Sequence, residues 1–314
     1  MLYKTLGRTG LSVSVAGLGC GGHSRLGQTY GNSVEESVAV VKAAIDMGIN
    51  FIDTAAAYGT EKIVGEAIRG QREKLIISTK TAIQSWGEPQ SKPFTGAQVL
   101  EQLENNLGRL GTDHVDLYNL HGIVKGQLDY VAAEIVPALL KAREQGKIRF
   151  LGITEHFGGD TSHKMLSAAV PTGVWDVVMV GFNLLNPSAR RNVLRLTQAH
   201  NVGVQNMFAV RRALSNPEGL KEAFAVIEKA GQLDRGKLDA ADPLGFLKED
   251  TQGIVDAAYR FCRHEPGIDV VLTGTGKIEH LKENVDSINR GPLPPRMLAK
   301  LEELFGQVDS VSGN

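Results

Sequence analysis

The chain has 314 residues, 42% of them hydrophobic and 22% charged, and its 34 Lys and Arg against 35 Asp and Glu leave a net charge of −1. This composition is typical of a folded globular protein and excludes intrinsic disorder, while the near-neutral charge argues against nucleic-acid or anionic-membrane partners. With only Cys20 and Cys262, no apolar run of about 18 residues and no signal-like start, we expect a cytoplasmic protein without a disulfide framework or metal site.

The chain begins with two short runs, residues 3–6 and 11–13, on either side of the Gly-bounded segment 7–10. A turn rich in glycine between two such runs is typical of a β-hairpin. The sequence therefore predicts an N-terminal β-hairpin ahead of the main fold.

After the hairpin, a short apolar strand followed by a helix recurs about eight times. Two of the helices open with capping boxes, Ser33 to Glu36 and Thr95 to Gln98. The predicted strands are 15–19, 49–53, 75–79, 115–119, 148–153, 177–180, 202–207 and 270–272, and the predicted helices are 33–47, 61–68, 96–110, 130–145, 160–169, 188–200, 252–263 and 280–288.

Strands alternating with helices of 10–15 residues favour a parallel sheet, and about eight repeats without a linker favour its closure. We therefore predict an α/β fold in which residues 1–314 form a single (β/α)8 TIM barrel. The long segment after Met207, with an extra helix over 217–230, is interpreted as an elaborated loop of the C-terminal face.

Residues 17–22 satisfy the pattern G-x-G-x-x-G directly after the first barrel strand. In a dinucleotide-binding βαβ unit the helix begins inside that glycine turn, so that its N-terminus faces the pyrophosphate. Here the helix begins about ten residues later, at the Ser33 cap. The glycines are better explained as a barrel loop that a ligand can approach closely, or as a plain tight turn.

Four ionisable side chains follow consecutive strands where the catalytic face of a barrel is expected. Asp53 and Lys80 each end an apolar strand, Tyr58 lies five residues after Asp53, and His121 follows the fourth strand. Each residue alone has an ordinary structural explanation, but their coincidence at one rim favours a catalytic group.

The four residue types suit acid–base chemistry on a carbonyl group. A tyrosine with an ordinary pKa near 10 becomes a useful acid when a lysine cation stabilises its phenolate. Asp53 supplies the counter-charge that keeps a desolvated Lys80 protonated, and His121 can orient a carbonyl oxygen. Tyr58 could then protonate that oxygen while hydride arrives at carbon.

Three segments, FIDTAAAYG at 51–59, STK at 78–80 and DLYNLH at 116–121, resemble the aldo-keto reductase superfamily, and the likeness extends from residues 6–11 to 283–284. The resemblance implies a (β/α)8 fold, a nicotinamide cofactor and reversible carbonyl reduction. It also implies a catalytic tetrad of Asp53, Tyr58, Lys80 and His121.

The resemblance implies cofactor contacts as well, with two departures. Thr154 and Glu155 stand where the family commonly has Ser-Asn, and Met179 stands where it has a Gln that contacts the nicotinamide carboxamide. A carboxylate accepts hydrogen bonds but cannot donate to the carboxamide oxygen, so nicotinamide anchoring is expected to be unusual. Glu155 could instead contact substrate or lie on a solvated loop.

The other residues that the resemblance places at the cofactor lie in the loops after the first, seventh and eighth strands. They are Gly21, Phe208, Ala209, Arg211, Gly274, Thr275, Gly276, Lys277, His280, Glu283 and Asn284. Lys277 suits a 2′-phosphate by its charge, whereas His280 stands where many NADP-preferring members carry Arg. NADP(H) is therefore favoured, and NAD(H) stays possible.

Two functions are consistent with these residues and with the resemblance. The first is an NAD(P)(H)-dependent oxidoreductase that interconverts a small aldehyde, ketone or sugar and the alcohol, with Tyr58 as general acid/base. The alternative is a cofactor-binding redox-sensing or regulatory subunit with little turnover, which the unusual Glu155 and Met179 keep open. Loops 82–94, 122–129 and 208–250 are expected to shape the substrate pocket, with Trp86 as an apolar wall.

Overall fold

In the computed structural model, which describes residues 1–85, 88, 91–239 and 241–314, eight parallel strands form a closed barrel surrounded by helices. The barrel strands, each paired with the next and the last with the first, are β3 (Ala16–Gly19), β4 (Phe51–Asp53), β5 (Ile76–Thr81), β6 (Val115–Ile123), β7 (Ile148–Glu155), β8 (Val177–Gly181), β9 (Gly203–Met207) and β10 (Val270–Thr273). The predicted (β/α)8 barrel is confirmed. Trp86 lies outside the described residues.

The predicted hairpin is also confirmed. Strands β1 (Tyr3–Thr5) and β2 (Ser12–Ser14) pair antiparallel. The hairpin brings three apolar side chains against the N-terminal end of the barrel interior, in a cluster made of Leu6, Leu11, Val13, Phe51, Ile76, Leu117, Val177 and Val270. It therefore closes the end opposite the carboxyl ends of the strands.

The helices alternate with the strands as expected. They are α1 (Val34–Asp46), α2 (Glu61–Ala67), α3 (Gly96–Leu110), α4 (Leu128–Tyr130), α5 (Val136–Glu144), α6 (Lys164–Ala169), α7 (Arg195–Ala199), α8 (Arg212–Ser215), α9 (Pro217–Lys229), α10 (Ile254–Arg263), α11 (Ile278–Asn289) and α12 (Pro295–Phe305). Both predicted capping boxes are present, at Ser33 and Thr95. None of the helices in the described ranges is long and apolar enough to cross a membrane.

Several boundaries differ from the predicted ones. Strands β6 and β7 continue to Ile123 and Glu155 because their ladder persists beyond the apolar run, after a register shift that follows Leu120. Helix α6 begins at Lys164 because the Asp160 carboxylate accepts the N–H groups of Lys164 and Met165 and so caps the helix there.

Alternation along each strand decides which side chains face the barrel interior. Phe51, Leu117 and Val177 belong to the interior cluster, so the residues two positions later on their strands, Asp53, Asn119 and Met179, face the same interior one step nearer the carboxyl ends. The glycine motif fits this packing, since a Cβ on Gly17 would meet interior side chains at 2.7–3.1 Å.

Candidate active site

The four predicted catalytic residues meet at the carboxyl ends of adjacent strands. Asp53 ends β4, and Tyr58 lies in a 3₁₀ turn, Ala56–Tyr58, that follows it. Lys80 lies on β5 and His121 on β6. Because consecutive strands of the barrel are hydrogen-bonded neighbours, the order of these residues along the chain becomes proximity in space.

Asp53 and Lys80 form a buried ion pair. Lys80 Nζ lies 2.6 Å from Asp53 Oδ2 and also donates to the Thr54 carbonyl at 2.9 Å, and Lys80 has no exposed surface. Burial raises the pKa of the Asp53 carboxyl, and the Lys80 charge opposes that rise. Burial lowers the pKa of Lys80, but Asp53 and Tyr58 outweigh burial, so the pKa of Lys80 lies above its ordinary value and the ammonium form is favoured.

Tyr58 lies between the ion pair and His121. Its hydroxyl is 3.3 Å from His121 Nε2, the two rings meet edge to face, and Lys80 Nζ lies 4.9 Å from the phenol ring centre. Burial raises the pKa of Tyr58, and the Lys80 charge lowers it. Lys80 thus acts in the expected direction, but the pKa of Tyr58 still lies above its ordinary value because burial outweighs the cation.

His121 is a neutral imidazole at physiological pH. Burial, the Lys80 charge and His156 lower its pKa to about 3. A neutral imidazole donates from one ring nitrogen and accepts at the other. His121 can therefore orient a carbonyl oxygen without bringing a second cation into the site.

Glu155 has buried protein partners. Its Oε1 lies 2.9 Å from His163 Nδ1 and accepts the Gly181 N–H at 2.8 Å, and neither the Glu155 nor the His163 side chain has exposed surface. The preceding Thr154 accepts the Gly122 N–H at 2.7 Å. Glu155 therefore does not lie on a solvated loop, and contact between Glu155 and a nucleotide would require these bonds to open. In the structure its carboxylate joins the end of β7 to β8 and to His163.

Phe157 was not singled out from the sequence, yet it connects the ends of three strands. Its ring stacks on His163 at 5.2 Å and meets Phe208 edge to face at 5.4 Å. A Cβ on Gly181 would overlap this ring, so the glycine makes room for it. With the buried Met179 on the same strand as Gly181, this side of the barrel mouth is mainly apolar. The only sequence signal for this contact is an aromatic residue after one strand and a glycine at the end of the next, and that pattern is too common to identify the contact.

Arg211 bridges the loops after β9 and β3. Its guanidinium carbon lies 4.1 Å from the Phe208 ring centre, and a Cβ on Gly22 would come within 2.8 Å of its terminal nitrogen. A Cβ on Gly21 would overlap the Tyr58 ring. Within the described part of the chain no carboxylate pairs with Arg211, whereas its neighbour Arg212 is exposed and forms an ion pair with Glu222. Ala209, between them and Phe208, is buried.

The residues expected at the adenosine end surround the start of α11. Thr275 Oγ1 accepts the Lys277 N–H at 3.2 Å, and Asn284 Nδ2 donates to the Thr273 hydroxyl at 2.9 Å. Gly276 O accepts Asn32 Nδ2 at 2.8 Å, which joins this loop to the one after β3. The exposed members of the group are Gly274, Lys277, His280 and Glu283.

Cys20 is fully buried beside the tetrad, and burial raises the pKa of its thiol, so it packs as a small apolar side chain. Among the residues that the structure describes, no group of three or more His, Cys, Asp or Glu side chains is arranged to hold a metal ion.

Comparison with known proteins assigns the family. The family model described as "Aldo/keto reductase family" matches residues 18–305. L-galactose dehydrogenase of Arabidopsis thaliana is 29% identical over 293 residues, covering 91% of this chain and 87% of that protein.

Solved structures agree with this match. A thermostable aldo-keto reductase in complex with the inhibitor epalrestat is 26% identical with a TM-score of 0.68, covering 96% of this chain and 99% of its own. The holo form of an aldo-keto reductase of Bacillus halodurans, 24% identical, has the same fold with a TM-score of 0.74 and coverage of 97% and 96%. The chain belongs to the aldo/keto reductase family and is an NAD(P)-dependent oxidoreductase.

Proposed function

We propose that the protein catalyses reversible hydride transfer between a nicotinamide cofactor and a small carbonyl compound, with Tyr58 as general acid and base. The observation that carries the proposal is the contact chain from Asp53 through Lys80 and Tyr58 to His121, in which a buried cation faces a phenol whose hydroxyl meets a neutral imidazole. NADP(H) is the preferred cofactor, and NAD(H) is the second choice.

The residues present fit such a cofactor. Arg211 lacks a carboxylate partner among the described residues, and a partly buried guanidinium gains most from a diphosphate that completes its bonding. Gly21, Thr154, Phe208 and Ala209 would hold the nicotinamide half with it. The adenosine half would meet Gly274, Thr275, Gly276, Lys277, His280, Glu283 and Asn284. Met179 would contribute an apolar surface. Glu155 would lie behind the site and hold His163, whose ring stacks on Phe157.

When bound, the nicotinamide supplies or accepts the hydride. In the reductive direction the Tyr58 hydroxyl donates its proton to the carbonyl oxygen and becomes a phenolate, which Lys80 stabilises by charge. Asp53 keeps Lys80 protonated during this change. His121, which is neutral, holds the carbonyl oxygen next to Tyr58. In the oxidative direction the phenolate takes the proton of the alcohol.

Small polyhydroxylated carbonyl compounds are the proposed substrates. The relative L-galactose dehydrogenase is named for a sugar. In this chain the mouth also carries polar side chains, since His156 lies close enough to His121 to lower its pKa, and the exposed His23 lies against Tyr30. Such groups favour hydroxyl-bearing substrates over purely apolar ones.

A turnover assay tests the proposal. NADPH and NADH oxidation is measured with a panel of aldehydes and aldoses, and NAD(P)+ reduction with sugars. Tyr58→Phe is expected to lower kcat by about 10²–10⁴, the usual contribution of a general acid. Tyr3→Phe, at an exposed tyrosine of the hairpin that closes the opposite end of the barrel, is the control and is expected to retain turnover. Retained turnover in Tyr58→Phe, or tight nucleotide binding without turnover in the wild-type chain, would contradict the proposal.

A further inference from the structure

Two polar side chains of the barrel interior connect to Asp53 from below the tetrad. Ser78 on β5 donates to Asp53 Oδ1 at 2.8 Å, and Asn119 on β6 donates from Nδ2 to Ser78 Oγ at 3.0 Å. Ser78 and Asn119 have no exposed surface, and Asp53 is 3% exposed. Since the other oxygen of Asp53 accepts from Lys80, a buried line of hydrogen bonds runs from Asn119 to the cation beside Tyr58.

The direction of these hydrogen bonds is set by groups that can only donate or only accept. Asn119 Nδ2 lies 3.3 Å from the Thr79 carbonyl oxygen, which only accepts, so the amide nitrogen is the atom that faces Ser78. Because that nitrogen only donates, the Ser78 hydroxyl accepts from it. The hydroxyl hydrogen of Ser78 is therefore free to point at Asp53.

We propose that Asn119 and Ser78 are positioning residues for the Tyr58 acid–base step and act through Asp53 and Lys80. The inference rests on the proposed function. A hydrogen bond to an ionised carboxylate is stronger than one between neutral groups, and here it neutralises part of the Asp53 charge. The net potential of the Asp53–Lys80 pair at Tyr58 is then more positive, and this stabilises the phenolate that forms there.

Gly152 on β7 is a second observation that points to Asn119. A Cβ on Gly152 would overlap Asn119 Oδ1 and would lie 3.1 Å from Leu117 Cδ1. Asn119 and Gly152 are paired in the ladder between β6 and β7. The absence of a side chain at residue 152 is therefore what lets Asn119 reach Ser78.

Other charged and titratable groups also face this line. Tyr58 is faced by Asp53, Lys80 and Arg211 and is hydrogen-bonded to His121, while Asp53 is additionally close to the Cys20 thiol. Ser78→Ala and Asn119→Leu change none of these groups and add no charge, so a shift in the titration of Tyr58 in these variants reports on Asn119 and Ser78.

The test uses Ser78→Ala, which removes only a hydroxyl, together with Asn119→Leu. Both variants are expected to lower kcat about tenfold, a fraction of what a hydrogen bond to a charged group is worth, with little change in KM for the cofactor. The alkaline limb of kcat/KM for reduction is expected to move to higher pH. The reason is that the Asp53 charge, no longer offset by the Ser78 hydrogen bond, disfavours the Tyr58 phenolate.

A direct readout needs no cofactor. The tyrosinate absorbance of each variant is titrated against the same variant carrying Tyr58→Phe, and the difference gives the titration of Tyr58 alone. Ser78→Ala and Asn119→Leu are expected to move it to higher pH. The control is Asn206→Leu, since Asn206 is also a buried barrel asparagine but donates to the backbone carbonyls of Phe182 and Met207.

The outcomes separate two failures. If Ser78→Ala and Asn119→Leu only lose thermal stability, as Asn206→Leu is expected to, with an unshifted Tyr58 titration and pH profile, the positioning role is overturned. If Tyr58→Phe keeps its turnover, the proposed function fails, and the Tyr58 titration in the cofactor-free chain still decides whether Asn119 and Ser78 act on that residue.

Discussion

At the scale of single residues, the buried pair of Asp53 and Lys80 governs both stability and chemistry. Either charge alone in the barrel interior would be strongly unfavourable, since both side chains are almost fully removed from water. Both charges also act on Tyr58, where Lys80 lowers the pKa and Asp53 raises it. A change to one partner is therefore expected to lower both stability and turnover. A change to both partners is expected to restore stability without restoring turnover.

Lys80→Met is expected to lower the free energy of unfolding by about 3–5 kcal/mol, because it leaves Asp53 as an uncompensated buried carboxylate. Turnover should fall with it. The double variant Asp53→Asn with Lys80→Met removes both charges and is expected to recover most of the stability but none of the turnover. Denaturant unfolding with parallel kinetics checks this, and a double variant no more stable than Lys80→Met would argue against the ion pair as the cause.

His121 is expected to make the fold sensitive to acid. Its pKa is near 6.5 in the unfolded chain and about 3 in the folded one, so the unfolded state binds more protons below pH 6.5. The stability that the neutral His121 provides is complete above pH 6.5 and is lost as the pH falls towards 3. The free energy of unfolding measured across this range should decline less steeply in His121→Phe. His200→Gln, at an exposed histidine, is the control and should decline as the wild-type chain does.

At the scale of elements, local sequence signals determine where helices begin, whereas contacts between elements determine how the side chains at the strand ends pack. The capping boxes at Ser33 and Thr95 are complete, with side chain and backbone satisfying one another. By contrast, the stack of Phe157 on His163 depends on Gly181 of the next strand. The first kind of feature contributes to stability alone, whereas the second also shapes the site.

Thr95→Ala is expected to lower the free energy of unfolding by about 1 kcal/mol, because the Gln98 N–H loses its acceptor at the start of α3. The Thr95 side chain is hydrogen-bonded to Gln98 and, among the described residues, to no member of the tetrad, so kcat and KM should not change. Ser33→Ala at α1 is the parallel case. A loss of turnover in Thr95→Ala at full folding would show that α3 is coupled to the site.

At the scale of the whole molecule, cofactor binding is expected to stabilise the entire barrel, because the proposed contacts come from the end of β7 and from the loops after β3, β9 and β10. A ligand that binds only the folded state at 100 times its Kd adds about 2.7 kcal/mol. The melting temperature should rise by several degrees with NADPH and by less with NADH at the same concentration. Lys277→Met should reduce the rise with NADPH more than the rise with NADH, and equal shifts for both nucleotides in the wild-type chain would contradict the preference for NADP(H).

The sequence by itself determined the barrel and the group of four residues. Alternating strands and helices leave one closed architecture at this length, and a charge at the end of an apolar strand is a local pattern whose place in a barrel follows from the fold. Helix α12 was not predicted, although its buried Met297, Leu301 and Phe305 cover part of the core. Its boundaries lack a capping box and it follows no barrel strand, so the repeat did not point to it.

Only the tertiary structure decided which partners the polar side chains take. Glu155 occupies a position that suggests a cofactor contact, yet its carboxylate pairs with His163 because that residue, eight positions later, packs behind the strand. The line from Asn119 to Asp53 likewise joins three different strands. A hydrogen bond between strands depends on register and on the room that residues such as Gly152 leave, and neither quantity is written in the local pattern of the chain.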